Sequence, residues 1–415
     1  MKRSFLLRES VFVGSGLGLI AATYGLVRLA YGLFLPDVQR DLGLRADAAG
    51  WVSSGASALY CVGAVVGYRC AGRVPRVLVA VAAAVAGAGA LGMAAAGAPA
   101  AFAIASVVGS AGAGLASPAL VSLVTTLVPQ PAQRRAQAVV NAGTGPGLVA
   151  AGVLALALLP DWRTAWTWSG IATLVVGAAL LASSWSPRRT GAGGRTRSER
   201  SPAAGPDPAW WRAHRAVLVL ALLFGAGSAV VWTYGRSVLV DAGAPVAVSV
   251  SAWIALGVGG AAVVVTARWT SRLHARTQWA LTGVAVALGV LALGTVPQWT
   301  PVALVACAVF GWGYTAATGA LIAWTTEIDP ERSSAGTAVL FVALVLGQAG
   351  GAAAAGAVVE PLGSPGTFGA GALVTAVCAV LGARVRAAGA ARSSGCTPPT
   401  PPVRPAARPR RPAGP

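Results

Sequence analysis

Charge is scarce in this sequence. Charged residues make up 10% of the 415-residue chain, against roughly 25% in a soluble domain. That scarcity excludes a water-facing surface over most of the length. Lysine is represented by Lys2 alone, and acidic residues number only 12. The two histidines, His214 and His274, fall in stretches that read as loops. The five cysteines, Cys61, Cys70, Cys307, Cys378 and Cys396, make no CxxC pair and no metal-ligand spacing, so they carry no metal or redox role. No Asp, Glu or His stands in the middle of an apolar run, where a proton-coupled carrier usually keeps one. A nucleophile–base set and a phosphate loop are missing too, which argues against an enzyme and against a bound cofactor.

What is abundant is apolar sequence, with 56% of residues in the hydrophobic class. A spanning helix needs about 20 such residues to cross roughly 30 Å of hydrocarbon. The pattern predicts twelve helices, at about 11–36, 48–70, 77–96, 100–128, 137–159, 164–185, 216–240, 248–270, 277–296, 302–326, 336–360 and 366–386. The first run, behind Lys2, Arg3 and Arg8, is too long for a signal peptide and reads as an uncleaved helix. The expected fold is all-α and integral to the membrane, as two six-helix bundles. The expected organisation is a cytoplasmic N-terminus (1–10), a first bundle (11–185), a linker (186–215), a second bundle (216–386) and a basic tail (387–415).

The formal charge of +19 does not point to nucleic acid, because the arginines lie between apolar runs and in the tail. Arg69, Arg73, Arg76, Arg134, Arg135, Arg268, Arg272 and Arg276 fall on one side of the predicted topology, with the linker and both termini. The loops of the other side are short and neutral or acidic, around Asp37, Asp41, Asp47, Asp161, Asp241 and Glu360. Basic loops stay in the cytoplasm, so both termini are expected there. Only the loop with Glu327, Asp329, Glu331 and Arg332 runs against this, and acidic residues weigh little in the rule. A composition rich in Ala, Gly and Arg suits a high-GC bacterial genome, and hence the inner (plasma) membrane. Segment 186–212 is rich in Pro, Gly and Arg and reads as a mobile linker. Segment 387–415, with its PPTPP run, reads as a solvated tail or a ligand for a partner domain.

The halves echo one another. Thr125-Thr126, Pro129 and Ala138-Val139 return as Thr325-Thr326, Pro330 and Ala338-Val339. Tyr31-Gly32, Trp51 and Gly55 return as Tyr234-Gly235, Trp253 and Gly257. Six helices repeated about an axis along the membrane normal fit this spacing.

With these features the chain resembles the major facilitator superfamily. Asp161-Trp162-Arg163, with Trp166, is similar to the family's turn between helices five and six. GYRCAGRVPR, from Gly67 to Arg76, occupies the place of its helix 2–3 signature, with Ala71 where an Asp is expected. GSAGAGLASPA resembles its Gly-rich fourth helix, with Val108 in place of the usual Arg. RLAYGLFLPDV, from Arg28 to Val38, is similar to the opening of the YbfB/YjiJ-type branch of bacterial carriers. The resemblance implies alternating access by two rocking bundles. Gly67, Arg73, Arg76 and the Gly145-Pro146 pair are then the conformational residues, although Asn141 and Val149-Ala150 replace the glycines that accompany such a pair. A packing kink explains Gly145-Pro146 equally well. Gly143/Gly147 and Gly347/Gly351 are small-xxx-small pairs that let helices approach closely.

Arg28 is the sharpest single residue. It lies inside the first helix between Tyr24 and Tyr31, and a mid-membrane Arg costs roughly 2.5–3.5 kcal/mol on insertion scales. Such a residue faces a cavity, a partner or a substrate, or else snorkels outward. Arg236 is a second candidate cation. Asn141, Trp232, Tyr314 and Gln348 complete the set of expected cavity residues. The expected function is secondary transport of a small organic solute, anionic at Arg28, by a monomer in the lipid bilayer, with its coupling ion left open. Drug or metabolite efflux by the same fold is one alternative. A non-transporting membrane sensor or scaffold is the other.

Overall fold

A computed structural model describes residues 2–184, 207–270 and 272–385. Its elements are all helical, and eleven are long and apolar enough to cross a membrane. They are α1 (Ser10–Leu42), α2 (Ala46–Cys70), α3 (Pro75–Ala95), α4 (Pro99–Leu127), α5 (Gln130–Leu158) and α6 (Trp162–Ser184). The second half of the chain carries α7 (Pro208–Asp241), α8 (Val246–Thr270), α9 (Ala275–Thr295), α10 (Thr300–Ile328) and α11 (Ala335–Arg384). Residues 186–206 of the expected linker and 387–415 of the expected tail lie outside the described residues, as does Cys396.

Within each half short connections separate the helices, and their chemistry is local. Gly43 closes α1 at φ 67°, a left-handed position that glycine adopts without penalty. Pro75, Pro99 and Pro208 open α3, α4 and α7, where a missing N–H is harmless. Successive connections alternate between two faces. One, here the Asp41 face, carries the α1–α2, α3–α4, α5–α6, α7–α8 and α9–α10 turns. The opposite one is the Arg73 face.

Several expected boundaries move. α1 runs through Pro36 to Leu42, so Asp37, expected in a loop, is a buried helical residue. A proline inside a spanning helix is tolerated because neighbouring helices satisfy the carbonyl it frees. α7 begins at Pro208, eight residues early, because the Asp207 side chain accepts from the Trp210 N–H at 2.6 Å and caps it. His214 is therefore in a helix and not a loop, buried and stacked on Trp210 at 3.8 Å. Within α1, Ala21–Leu29 is π-helical. α5 is interrupted at Ala142 and Gly143, between Gln130–Asn141 and Thr144–Leu158.

α11 spans 50 residues. A straight helix of that length would run about 75 Å, far more than the ~30 Å hydrocarbon layer. It is broken at Gly363, with φ 66° and ψ 174°, between Pro361 and Pro365. The limb before the break packs Gly347 on Leu222 and ends with Gly356 beside Gly50. The limb after it starts with Phe368 beside Gly294 and continues to Ala379 beside Gly283, so the limbs run in opposite directions.

Both small-xxx-small pairs sit at close helix–helix contacts. Gly143 and Gly147 lie against the Leu17 and Ala21 carbonyls of α1. Gly347 and Gly351 lie against the Leu222 and Ala226 carbonyls of α7. The same contact thus recurs in both halves with the spacing of the sequence repeat. The repeat is looser elsewhere. Trp51 is 63% exposed whereas Trp253 is 2% exposed.

Candidate functional site

Arg28 sits in the π-helical segment of α1, a local distortion that recurs at functional sites. Its Nη2 donates to Gln348 Oε1 of α11 at 3.0 Å and to Ser57 Oγ of α2 at 3.3 Å. The guanidinium carbon lies 4.7 Å from the Tyr60 ring centroid. Nε has no partner. Ser57 is near the middle of α2, which puts the guanidinium deep in the apolar layer. Among the described residues, no carboxylate pairs with Arg28.

Aromatic side chains surround this cation from both halves of the chain. Tyr24 and Tyr60 share a hydroxyl–hydroxyl bond of 2.7 Å. Gln348 Nε2 donates to the Tyr314 hydroxyl at 3.0 Å, so the amide is engaged at both ends. Tyr314 stacks on Phe224 at 5.5 Å and Phe310 at 5.9 Å, and meets Trp232 edge-on at 5.1 Å. The Trp232 indole N–H is left without a partner. Tyr24, Arg28 and Tyr314 remain partly exposed in spite of their depth.

The expected site residues divide accordingly. Arg28, Tyr24, Gln348, Tyr314 and Trp232 come together. Tyr31 points away and donates to the Ala49 carbonyl at 2.9 Å. Asn141 is exposed at the break in α5 and takes a 3.4 Å bond from Gln137. Arg236 lies elsewhere, fully buried. It is paired with Asp37 and donates to the Leu33 carbonyl at 2.7 Å and to Ser249 Oγ at 3.2 Å. Ser57, Tyr60, Phe224 and Phe310 were not singled out from sequence. Ser57 and Tyr60 share one helical face at a spacing of three, but nothing in the chain order couples that face to Arg28.

Around Arg236 the two halves meet closely. Tyr234 donates to the Ala46 carbonyl at 2.6 Å, and Ser53 and Thr233 share a 2.9 Å bond. Gly32 abuts the Trp232 carbonyl. These contacts close the seam at the Asp41 face. Along α2 and α11 the seam continues to Cys61, beside the Val342 carbonyl at 3.8 Å. Nearer the Arg73 face, Thr126, Asn141 and Thr326 are exposed.

The expected conformational residues occupy two settings. Gly67 packs on Pro118 and Gly114 of α4, Arg73 is exposed, and Arg76 donates to the Ser184 carbonyl at 2.6 Å. All three lie in the first half. Gly145 faces Gly257 and Ala261 of α8, across the seam. Pro146 lines an apolar groove of about 640 Å³ with Leu26, Val149 and Val258. In the Trp-Arg turn, Arg163 binds Asp41 at 2.8 Å and the Ala94 and Ala96 carbonyls at 3.2 and 2.5 Å. Beside it, the Thr164 hydroxyl and backbone N–H hold the Asp161 carboxyl below the usual carboxylate range.

A profile of the Major Facilitator Superfamily matches residues 17–338. No curated protein matches the chain in sequence. Solved structures match at low identity. The nucleoside transporter NupG is similar with a TM-score of 0.72 and 13% identity, over 90% of this chain and 98% of that one. A D-xylose–proton symporter is similar at 0.70 and 16% identity, over 91% and 97%. A mutant of the peptide transporter POT is similar at 0.71 and 13% identity, over 90% and 93%. At such identities the likeness speaks for the fold alone. On the family match and that fold, this chain belongs to the Major Facilitator Superfamily and is a multi-pass membrane transporter, not an enzyme.

Proposed function

We propose that the chain is a secondary active transporter that moves a small organic anion by alternating access, with Arg28 as its binding cation. The observation that carries this reading is the mid-membrane guanidinium held only by neutral groups. A buried charge without a counter-charge is costly, and an anionic solute would supply that counter-charge by charge-assisted hydrogen bonds. Tyr24, Trp232, Tyr314 and Gln348 line the same site. The break at Gly363, with antiparallel limbs on either side, supports counting α11 as two crossings. That makes twelve in all, in two six-helix bundles. The basic loops of the Arg73 face support a cytoplasmic location for that face and for both termini in a bacterial inner membrane. The closed seam at the Asp41 face then corresponds to an inward-facing state. The Arg28–Val38 segment supports the YbfB/YjiJ-type branch. Gly145 at the α5–α8 seam supports a conformational role. Gly67, Arg73 and Arg76 would brace the first bundle as it moves.

The test is ligand-induced stabilisation of the purified protein by organic anions, neutral drugs and lipophilic cations. A ligand at about 100 times its Kd stabilises by roughly 2.7 kcal/mol. Anions alone should raise Tm, and Arg28→Gln should abolish the effect while leaving the ligand-free protein folded. If neutral drugs stabilise both proteins and anions neither, Arg28 is structural and hydrophobic efflux replaces this reading.

A further inference from the structure

The polar inventory around Arg28 restricts the solute more than its charge does. Among the described residues, Arg28 is the one cation placed at the site and no carboxylate pairs with it. Asp37, the nearest buried acid along α1, is committed to Arg236. A solute bearing an amine would therefore lose its hydration shell and gain no counter-charge. That disfavours amino acids, peptides and lipophilic cations. Sugars and nucleosides need many hydrogen-bonding partners in a pocket. Here the one amide, Gln348, is already bonded at both ends, and the Tyr24 and Tyr60 hydroxyls are bonded to each other.

What the site offers instead is aromatic side chains from both halves, with Tyr24 and Tyr314 partly exposed. Tyr24 and Tyr60 stand at 5.7 Å, edge to face, in the first half of the chain. In the second half, Tyr314, backed by the buried Trp232 and Phe310, supplies the other group. Gln348 joins the two groups by bonding Arg28 and Tyr314 together. Trp232 is held one helical turn beyond Arg28 by the contact of its carbonyl with Gly32. Its indole nitrogen and the Arg28 Nε are buried atoms with no hydrogen-bond partner. One planar ring carrying one acidic group matches this arrangement. The carboxylate accepts from the guanidinium, and the ring lies between aromatic side chains that favour offset or edge-to-face contact.

From this geometry we infer that the transported solute is an aromatic monocarboxylate without an amino group. The inference rests on the reading of Arg28 as the anion site, and adds the ring and the exclusion of zwitterions.

The probes are benzoate, cyclohexanecarboxylate, phenylalanine and benzyl alcohol, titrated against the full-length protein in detergent with Tm as the readout. Benzoate and cyclohexanecarboxylate share charge and nearly share size, so their difference isolates the ring. Benzoate should bind roughly 2- to 12-fold more tightly than cyclohexanecarboxylate, the range of one aromatic pair. Phenylalanine should not bind. Trp232→Leu should remove the preference for benzoate and keep cyclohexanecarboxylate binding. Should that protein fail to fold, Tyr24→Leu on the opposite side carries the same test. Equal affinity for the two carboxylates overturns the aromatic class while leaving the anion reading intact. Binding of phenylalanine overturns the exclusion of zwitterions. Binding of benzyl alcohol without benzoate overturns the anion reading and this inference with it.

Discussion

Removing the Asp37 carboxylate should open the seam at the Asp41 face. Arg236 is 1% exposed as a side chain and Asp37 2%, so neither charge is reached by water while the seam is closed. Breaking a buried pair from one side costs about 3–5 kcal/mol, because the other charge is stranded. In Asp37→Leu the stranded arginine keeps two neutral acceptors, the Leu33 carbonyl and Ser249 Oγ, which places the cost near the low end. About 3 kcal/mol shifts a two-state equilibrium by roughly two orders of magnitude. Arg236→Met should be milder, because Asp37 Oδ1 still lies 3.5 Å from Arg40, which is 63% exposed. The double variant should lie close to wild type, since an apolar pair of similar volume replaces a buried ion pair at little cost. The assay uses Thr233→Cys, a position that is 0% exposed, in a background lacking the other cysteines. Labelling by a membrane-impermeant maleimide should accelerate in Asp37→Leu, return toward the starting rate in the double variant, and be accompanied by a lowered Tm. Equal labelling rates and an unchanged Tm in all three proteins would refute the idea that this pair holds the seam.

The remaining expectations concern packing and capping. Gly347→Ala should be destabilising by several kcal/mol or prevent folding, because its Cβ would overlap the Leu222 carbonyl. Gly350→Ala, with nothing within 4 Å of the new methyl, should be neutral or gain up to about 1 kcal/mol of helix propensity; Tm values of the two proteins check both. Asp161→Ala removes the acceptor of the Thr164 N–H at 3.1 Å and should cost about 1 kcal/mol as a lost cap. The folded Asp161 carboxyl ionises below its unfolded value of about 3.9. The contribution is therefore present above that value and lost as pH falls through the folded one. The Tm difference between Asp161→Ala and wild type should hold at pH 7 and shrink near pH 3.

Much of the fold is legible in the linear chain because membrane helices announce themselves by length and hydropathy. Each apolar segment predicted from the pattern has a helical counterpart, including the stretches on either side of Gly363. The small-xxx-small pairs were readable for the same reason, since close approach leaves few residue types available. Boundaries were less readable. Pro36 suggested an end to α1, yet a proline's freed carbonyl can be satisfied by a neighbour, and the helix continues to Leu42. The early start of α7 depended on the Asp207 side chain folding back on Trp210, a capping contact that the polar linker composition masked.

In the site, Arg28 stood out because a charge in an apolar run is expensive wherever it points. Arg236 stood out for the same reason, and sequence could not say that it points elsewhere. Its partner Asp37 lies 199 residues away. Arg28 meets Gln348 across 320 residues. Periodicity and hydropathy act over a few turns of one helix, so the sequence by itself determined the class of molecule, the helices and the one cation without an obvious partner. Which arginine is neutralised and which is left without a counter-charge was decided only when the halves packed, because desolvation and pairing depend on distances between helices that no local pattern encodes.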